Sequence, residues 1–478
     1  MVNFINAVEL KAEIRHCVGG GGELAVLDIR EHGQYGQGHP FLAVSCPYSV
    51  LEQKAPILVP RYSAPVVVYD DNDNLSVRAA DALARVGYVD IRILEGGASA
   101  WEAAGFTLYQ GVNVPSKTFG ELVEHFCHTP AITAFDLNEM QMRGDKLIIL
   151  DGRTAEEYSN FNIPGGISCP NAELPLRFDA LVDDPATTVV INCAGRTRSI
   201  IGAQTLIDFG VTQKVLALEN GTQGWALADL ELEKGADRFA PEELSEAMLE
   251  AAKARAQKLA TNQDIAFVDY SMLTTWLQDN GRTTYLIDVR SRAEFESGHI
   301  PGAYHVPGGQ LVQATDLAVG VLGGRIVICD DNEVRAIMAG HWLKRMGRDV
   351  YVLRGGLEGH TMEKGSVNFD LNYSIAPDLA EVSVDDAYSG HCLDAFVVVD
   401  LRTSQAYRDG HLSGAIWCLR PQLPKFVEHF VGRSVLLVAD DNLAARLMAL
   451  DMYECRAGEV SILSGGMKAW LDAGYAVE

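Results

Sequence analysis

A chain of 478 residues with a formal net charge of −25 is too long for one ordinary core, and three or four domains are expected. The acidic balance excludes nucleic acid and anionic membrane surfaces as partners, since both would repel it. With 48% hydrophobic and 22% charged residues, and no run near the roughly 18 apolar residues of a spanning helix, the composition is that of a soluble globular protein.

The N-terminus, MVNFINAVELKAEIRH, lacks the basic-then-apolar order of a signal peptide. Nine cysteines are scattered without CxxC spacing, so neither a zinc site nor a redox pair is expected. An odd count without a framework points to reduced thiols and a cytoplasmic location.

One unit then recurs four times along the chain. Each copy opens with a strand ending in Asp followed two residues later by Arg: LAVLDIRE (Asp28, Arg30), LIILDGRT (Asp151, Arg153), YLIDVRS (Asp288, Arg290) and FVVVDLRT (Asp400, Arg402). A turn segment follows (GQGHPF, NFNIPGG, ESGHIPGA, RDGHLSGA), then a second apolar strand (APVVVY, TTVVINC, GRIVIC, RSVLLVA). A short strand and a glycine turn close each copy: ILEGGASAW, ALENGTQGW, VLRGGLEGH and ILSGGMKAW. Strands alternating with helical stretches predict a parallel α/β sheet in each copy. Boundaries are expected near residue 112, across 236–262 and near 375. The stretch APEELSEAMLEAAKARAQKLA reads as a connecting helix with Pro241 near its start, acids in its first turn and basic residues later.

The loop after the second strand carries the chemistry. In the second copy, Val189–Ile191 is a buried strand, CAGRTRS follows, and SIIGAQTLIDFG has helical spacing with Gly210 as its stop. Cys193 therefore stands where a strand ends and a helix begins. Unpaired N–H groups there, with Arg196 and Arg198, favour a thiolate and attract an anion. Cys193 lies 42 residues after Asp151; the same spacing selects Asp70 and Asp330, and matching the following helix selects Asp440 in the fourth copy. The acidic residues at these loops are expected to be helix-start anions held by the amides that would hold a substrate elsewhere, rather than metal ligands. Cys329 falls one residue short of the loop position and reads as a structural thiol, as do cysteines 17, 46, 127, 169, 392, 418 and 455.

These motifs together (the DxR strand end, fullest in DVRSRAEFESGHIPGA, the loop CAGRTRS and the closing GGxxAW) resemble the rhodanese (sulfurtransferase) family over nearly the whole chain. The resemblance implies four tandem rhodanese-like domains, each a small parallel sheet with helices on both faces. The expected units are 1–112 without a nucleophile, 113–235 catalytic, 236–261 a helical linker, and 262–374 and 375–478 without a nucleophile. Residues 1–235 are expected to form one pair of domains and 262–478 a second. The second copy departs from the pattern at Asn162, in place of the His of GHIPGA (His299 and His411 are structural markers), and at NGTQGW.

The implied activity is that of a thiosulfate sulfurtransferase. Cys193 would take a sulfane sulfur from thiosulfate or a related donor as a persulfide and pass it to cyanide or a thiol. Ala194, Gly195, Arg196, Thr197, Arg198 and Ser199 would bind the donor. Asp151 and Arg153 would tie the strand end to the loop as a buried pair, a direct contact of Arg153 with substrate being the other reading. No cofactor and no metal is expected; the partners are the small anionic donor and the acceptor, with a homo-oligomer left open. A sulfur-carrying scaffold is the competing reading. A phosphatase or arsenate reductase is disfavoured because Ser199 stands where such a loop places arginine.

Overall fold

A computed structural model describes residues 3–71, 74–366, 376–392 and 395–478, the side chains of 391 and 392 excepted. Three expectations fall outside them: part of the first acidic loop (72 and 73), the boundary near 375, and the side chain of Cys392.

Four sheets follow in sequence. The first is built from β1 (Asn3–Ile5), β2 (Leu24–Asp28), β3 (Val44–Ser45), β4 (Val66–Tyr69) and β5 (Ile91–Leu94). The second uses β6 (Ala131–Ile132), β7 (Leu147–Asp151), β8 (Ile167–Ser168), β9 (Thr188–Asn192) and β10 (Val215–Leu218). The third has β11 (Ala266–Val268), β12 (Thr284–Asp288), β13 (Tyr304–His305), β15 (Arg325–Cys329) and β16 (Asp349–Leu353), while β14 (Val321–Leu322), from the same stretch of chain, joins the edge of the first sheet. The fourth has β17 (Ala380–Val382), β18 (Val397–Asp400), β19 (Ile416–Trp417), β20 (Val435–Val438) and β21 (Val460–Leu463). The second sheet runs β6-β10-β9-β7-β8, all parallel, and the other three repeat that order.

Both faces of each sheet are covered, which is why the strands read as continuous apolar runs rather than alternating ones. In β9, Val189 and Ile191 pack with Ala203 and Leu206 of the helix Thr197–Phe209 on one face. Val190 points to the other face, where it meets Leu137 and Trp225. The strand is thus clamped on both sides up to the residue before Cys193. Among the described residues no helix is long and apolar enough to cross a membrane.

The four units also make contacts across chain order. The second unit is joined to the third: Val123, Ile200 and Ile201 share a cluster with Val312 and Trp342, and Trp342 Nε1 donates to Thr205 Oγ1 (2.9 Å). The first unit is joined to the third by β14, which adds antiparallel to β2, and by the Tyr285 hydroxyl donating to the Leu58 carbonyl (2.5 Å). It is joined to the fourth by Arg420, which donates to Glu52 (2.7 Å) and Asp451 (3.1 Å). The connecting helix is Glu246–Asn262, and it begins beyond Pro241 because Ser245 caps it, accepting from Met248 N (3.3 Å). It is packed rather than spanning: Ala252 and Ala256 are buried between the helix Leu174–Leu181 and the helix Val334–Arg345, where small side chains permit close approach.

Both carboxylates facing Arg420 are 1% exposed. Replacing Arg420 with Ala leaves Glu52 as an uncompensated buried charge and Asp451 with Arg78 alone (2.9 Å), which costs about 3–5 kcal/mol. Urea unfolding of Arg420→Ala should show the fourth unit coming away at clearly lower denaturant; an unchanged profile would contradict this account of the contact.

Candidate active site

Register fixes which residues are equivalent. Asp151 pairs with Asn192, Asp28 with Tyr69, Asp288 with Cys329 and Asp400 with Val438, so the next positions correspond: Cys193, Asp70, Asp330 and Ala439. In the fourth unit the residue at the loop position is therefore Ala439 and not Asp440. The glycine turn agrees, since a Cβ on Gly221, Gly356 or Gly466 would meet the carbonyl of Cys193, Asp330 or Ala439 respectively.

The base of the loop is a buried ionic frame. Asp151 is fully buried and accepts from Arg153 Nε (2.9 Å) and Nη2 (2.7 Å); Asn192 Nδ2 adds a bond at 3.1 Å. Arg153 also donates to the Phe161 carbonyl (2.6 Å) and is 1% exposed. It thus forms a buried ion pair with Asp151 through Nε and Nη2.

The closing turn braces the loop from the other side. Thr222 N donates to the Cys193 carbonyl (2.8 Å) and Gln223 N to that of Ala194 (3.1 Å). A Cβ at Gly221 would lie 2.1 Å from the Cys193 carbonyl oxygen, so that glycine is required. The departure NG for GG is conservative, because Asn220 holds the same left-handed conformation (φ 56°) as Gly355 (φ 77°). Asn162 is likewise a frame residue: it is buried and its backbone pairs with Glu233, as that of His299 pairs with Glu363.

The two loop arginines differ from expectation. Arg196 is half exposed and is held by Glu121 (3.2 Å) and Glu124, both on the helix Val114–Cys127. It does not frame the sulfur. Arg198 donates to Glu157 through both terminal nitrogens (2.7 and 2.8 Å). Its charge reaches Cys193 electrostatically but is already paired. Glu157 is a residue that motif reading missed. Its signals were the capping box with Thr154 and the recurrence of Asp-x-Arg-x-x-x-Glu at Asp288–Glu294, where Glu294 holds Arg335 at 2.9 Å. Thr197 packs against Gly120 of the neighbouring helix.

What surrounds the sulfur is backbone. Cys193 is 1% exposed, and the Ser199 hydroxyl donates to Sγ (3.2 Å). Among the described residues no acceptor is found for the backbone N–H groups of Arg196, Arg198 and Ser199. The other units show what those amides hold. In the third, Glu333 N (2.7 Å) and Arg335 N (3.0 Å), the counterparts of Arg196 N and Arg198 N, donate to the two oxygens of Asp330. In the first, Ser76 N, the counterpart of Ser199 N, donates to Asp70 (2.8 Å). A carboxylate thus occupies the amide cradle in two units, and a thiol stands at its base in the second. Burial pushes the Asp330 carboxyl up to about 7 against the pull of Arg335, so the cradle does not by itself cancel desolvation of an anion.

Cys329 is fully buried, with its thiol pushed well up by burial and by Asp288 and Asp330. Cysteines 17, 46, 169 and 418 are buried, and burial raises Cys46 and Cys418 to about 12. Cys127 and Cys455 are half-buried.

A model of the rhodanese-like domain matches residues 9–104, 133–228, 246–363 and 383–473. The crystal structure of a thiosulfate sulfurtransferase from Pseudomonas aeruginosa is 39% identical, with a TM-score of 0.92 over 100% of this chain and 90% of that one. A putative thiosulfate sulfurtransferase, SseB, of Mycobacterium tuberculosis is 31% identical over 124 residues, which span 24% of this chain and 43% of the relative's own length. The chain belongs to the rhodanese-like family, as four tandem domains.

The Arg198 guanidinium, as the largest influence, lowers the Glu157 carboxyl from 4.5 to about 2. The folded value lies below the unfolded one. The pair's contribution to stability is therefore complete above pH 4.5 and is lost as the pH falls through about 2. A carboxyl-carbon NMR titration should place Glu157 near that lower value; a midpoint at an ordinary glutamate value would contradict the pairing.

Proposed function

We propose that the chain is a sulfurtransferase working through a persulfide on Cys193. The observation that carries this reading is the exchange at one position: the loops of the other units present Asp70, Asp330 and Ala439, and this one presents a thiol beneath open helix-start amides. Thiosulfate or another sulfane donor is the donor class. The Cys193 thiolate attacks the outer sulfur, the sulfur–sulfur bond of the donor breaks, and sulfite leaves with its electron pair. The outer sulfur of the resulting persulfide is anionic and accepts from the amides of Arg196 and Arg198 and from the Ser199 hydroxyl. A second nucleophile, cyanide or a thiol, attacks that sulfur and releases the Cys193 thiolate. The ion pair of Arg198 with Glu157 fixes one wall of the loop without placing a bare charge beside the thiolate. The eight cysteines with described side chains are all free thiols, which suits a reducing compartment such as the cytoplasm.

Incubation with thiosulfate should add one sulfur to the intact mass, removable by reductant and absent in Cys193→Ser. No adduct, or an adduct unaffected by that substitution, would overturn the reading. Ser199→Ala removes a hydrogen bond to a charged sulfur, worth about 1.5–3 kcal/mol, and should slow persulfide formation roughly ten- to a hundredfold in stopped-flow measurements with little change in melting temperature.

A further inference from the structure

Between the first and third units lies a cleft of about 950 Å³, and the helix Val114–Cys127 forms part of its wall. None of residues 193–199 lines it. Its charge runs against that of the chain: four arginines, Arg61, Arg282, Arg345 and Arg348, face two acids, Glu23 and Asp349. Three of the arginines have acceptors. Arg61 donates to Glu23 (2.5 Å), Arg282 to Asp349 (2.7 Å) and Arg345 to Asp208 (3.3 Å). Arg348 is half-buried, and among the described residues its guanidinium has neither a hydrogen-bond acceptor nor an ion pair. The acid within electrostatic reach is Asp316, itself buried and hydrogen-bonded by the Tyr35 hydroxyl (3.4 Å). Burial disfavours the charged form of Arg348, the state that an anion in the cleft would restore. A guanidinium presents a planar fork of donors matched to a carboxylate or phosphate, so an unfilled one on a residue lining a cavity offers its donors to an oxyanion. The cleft also offers apolar surface at Leu42 and Phe119, and its volume suits a small organic molecule rather than a single inorganic ion.

We propose that this cleft binds a small organic anion whose phosphate or carboxylate group takes the open donors of Arg348 and whose apolar part lies against Leu42 and Phe119. The site is independent of the chemistry at Cys193 and stands whether or not that thiol carries sulfur.

Isothermal titration of the full chain with phenyl phosphate and, separately, with benzoate tests the two oxyanions. The expected result is saturable binding of one molecule per chain for at least one probe. It should weaken at least tenfold in Arg348→Met and in Thr118→Trp, the latter filling the cleft from an exposed helix position. Binding of neither probe would overturn the proposal, as would binding left unchanged by both substitutions, which would put the anion elsewhere. Should Arg348→Met fail to fold, Thr118→Trp decides alone.

Discussion

The start of a helix leaves backbone N–H groups without partners, and in a buried loop something must accept from them. This requirement organises every unit of the chain. In the first and third units the loop's own aspartate reaches back, Asp70 to Ser76 N and Asp330 to Glu333 N and Arg335 N. The fourth unit, with Ala439 at that position, uses Asp441 to cap Leu443 N (2.9 Å). In the second a thiol stands at that position, and among the described residues no acceptor is found for the N–H groups of Arg196, Arg198 and Ser199.

The rest of the frame keeps that loop from relaxing. The buried Asp151 and Arg153 recur as Asp28 with Arg30, Asp288 with Arg290 and Asp400 with Arg402, each with the guanidinium also bonded to a backbone carbonyl eight residues on. Such a pair is stable only while complete, since either partner alone is an uncompensated buried charge. The four units are then locked in an order that chain position does not suggest, second on third, and first on third and fourth. Glu173 of the second unit reaches Arg335 of the third (3.0 Å), so the loop without a nucleophile helps to seat the unit that has one.

Much of this was legible in the sequence because repetition exposes it. The DxR ends, the β9 run and the loop before Ser199 are local features, and their spacing places Cys193 without coordinates. Alignment failed at Asp440 because an insertion-free helix match is ambiguous by one residue, while strand register is not. The arginines were misjudged for a different reason. A guanidinium in a loop is visible, but its partners Glu121 and Glu124 lie some 70 residues upstream on a helix whose packing is not encoded locally. Glu157 could have been found, since the capping box and its recurrence at Glu294 are both sequence features. The unit-to-unit packing could not, because it depends on small residues such as Ala252 and Ala256 meeting surfaces far along the chain.

The central claim is that the amides filled by Asp330 in the third unit are open in the second and receive the transferred sulfur. A crystal structure of the thiosulfate-treated protein tests it directly. The account predicts one extra sulfur on Cys193, accepting from the backbone N–H groups of Arg196 and Arg198 while Asp330 keeps its own bonds. A sulfur directed away from those amides, with water or a side chain bound to them instead, would contradict it.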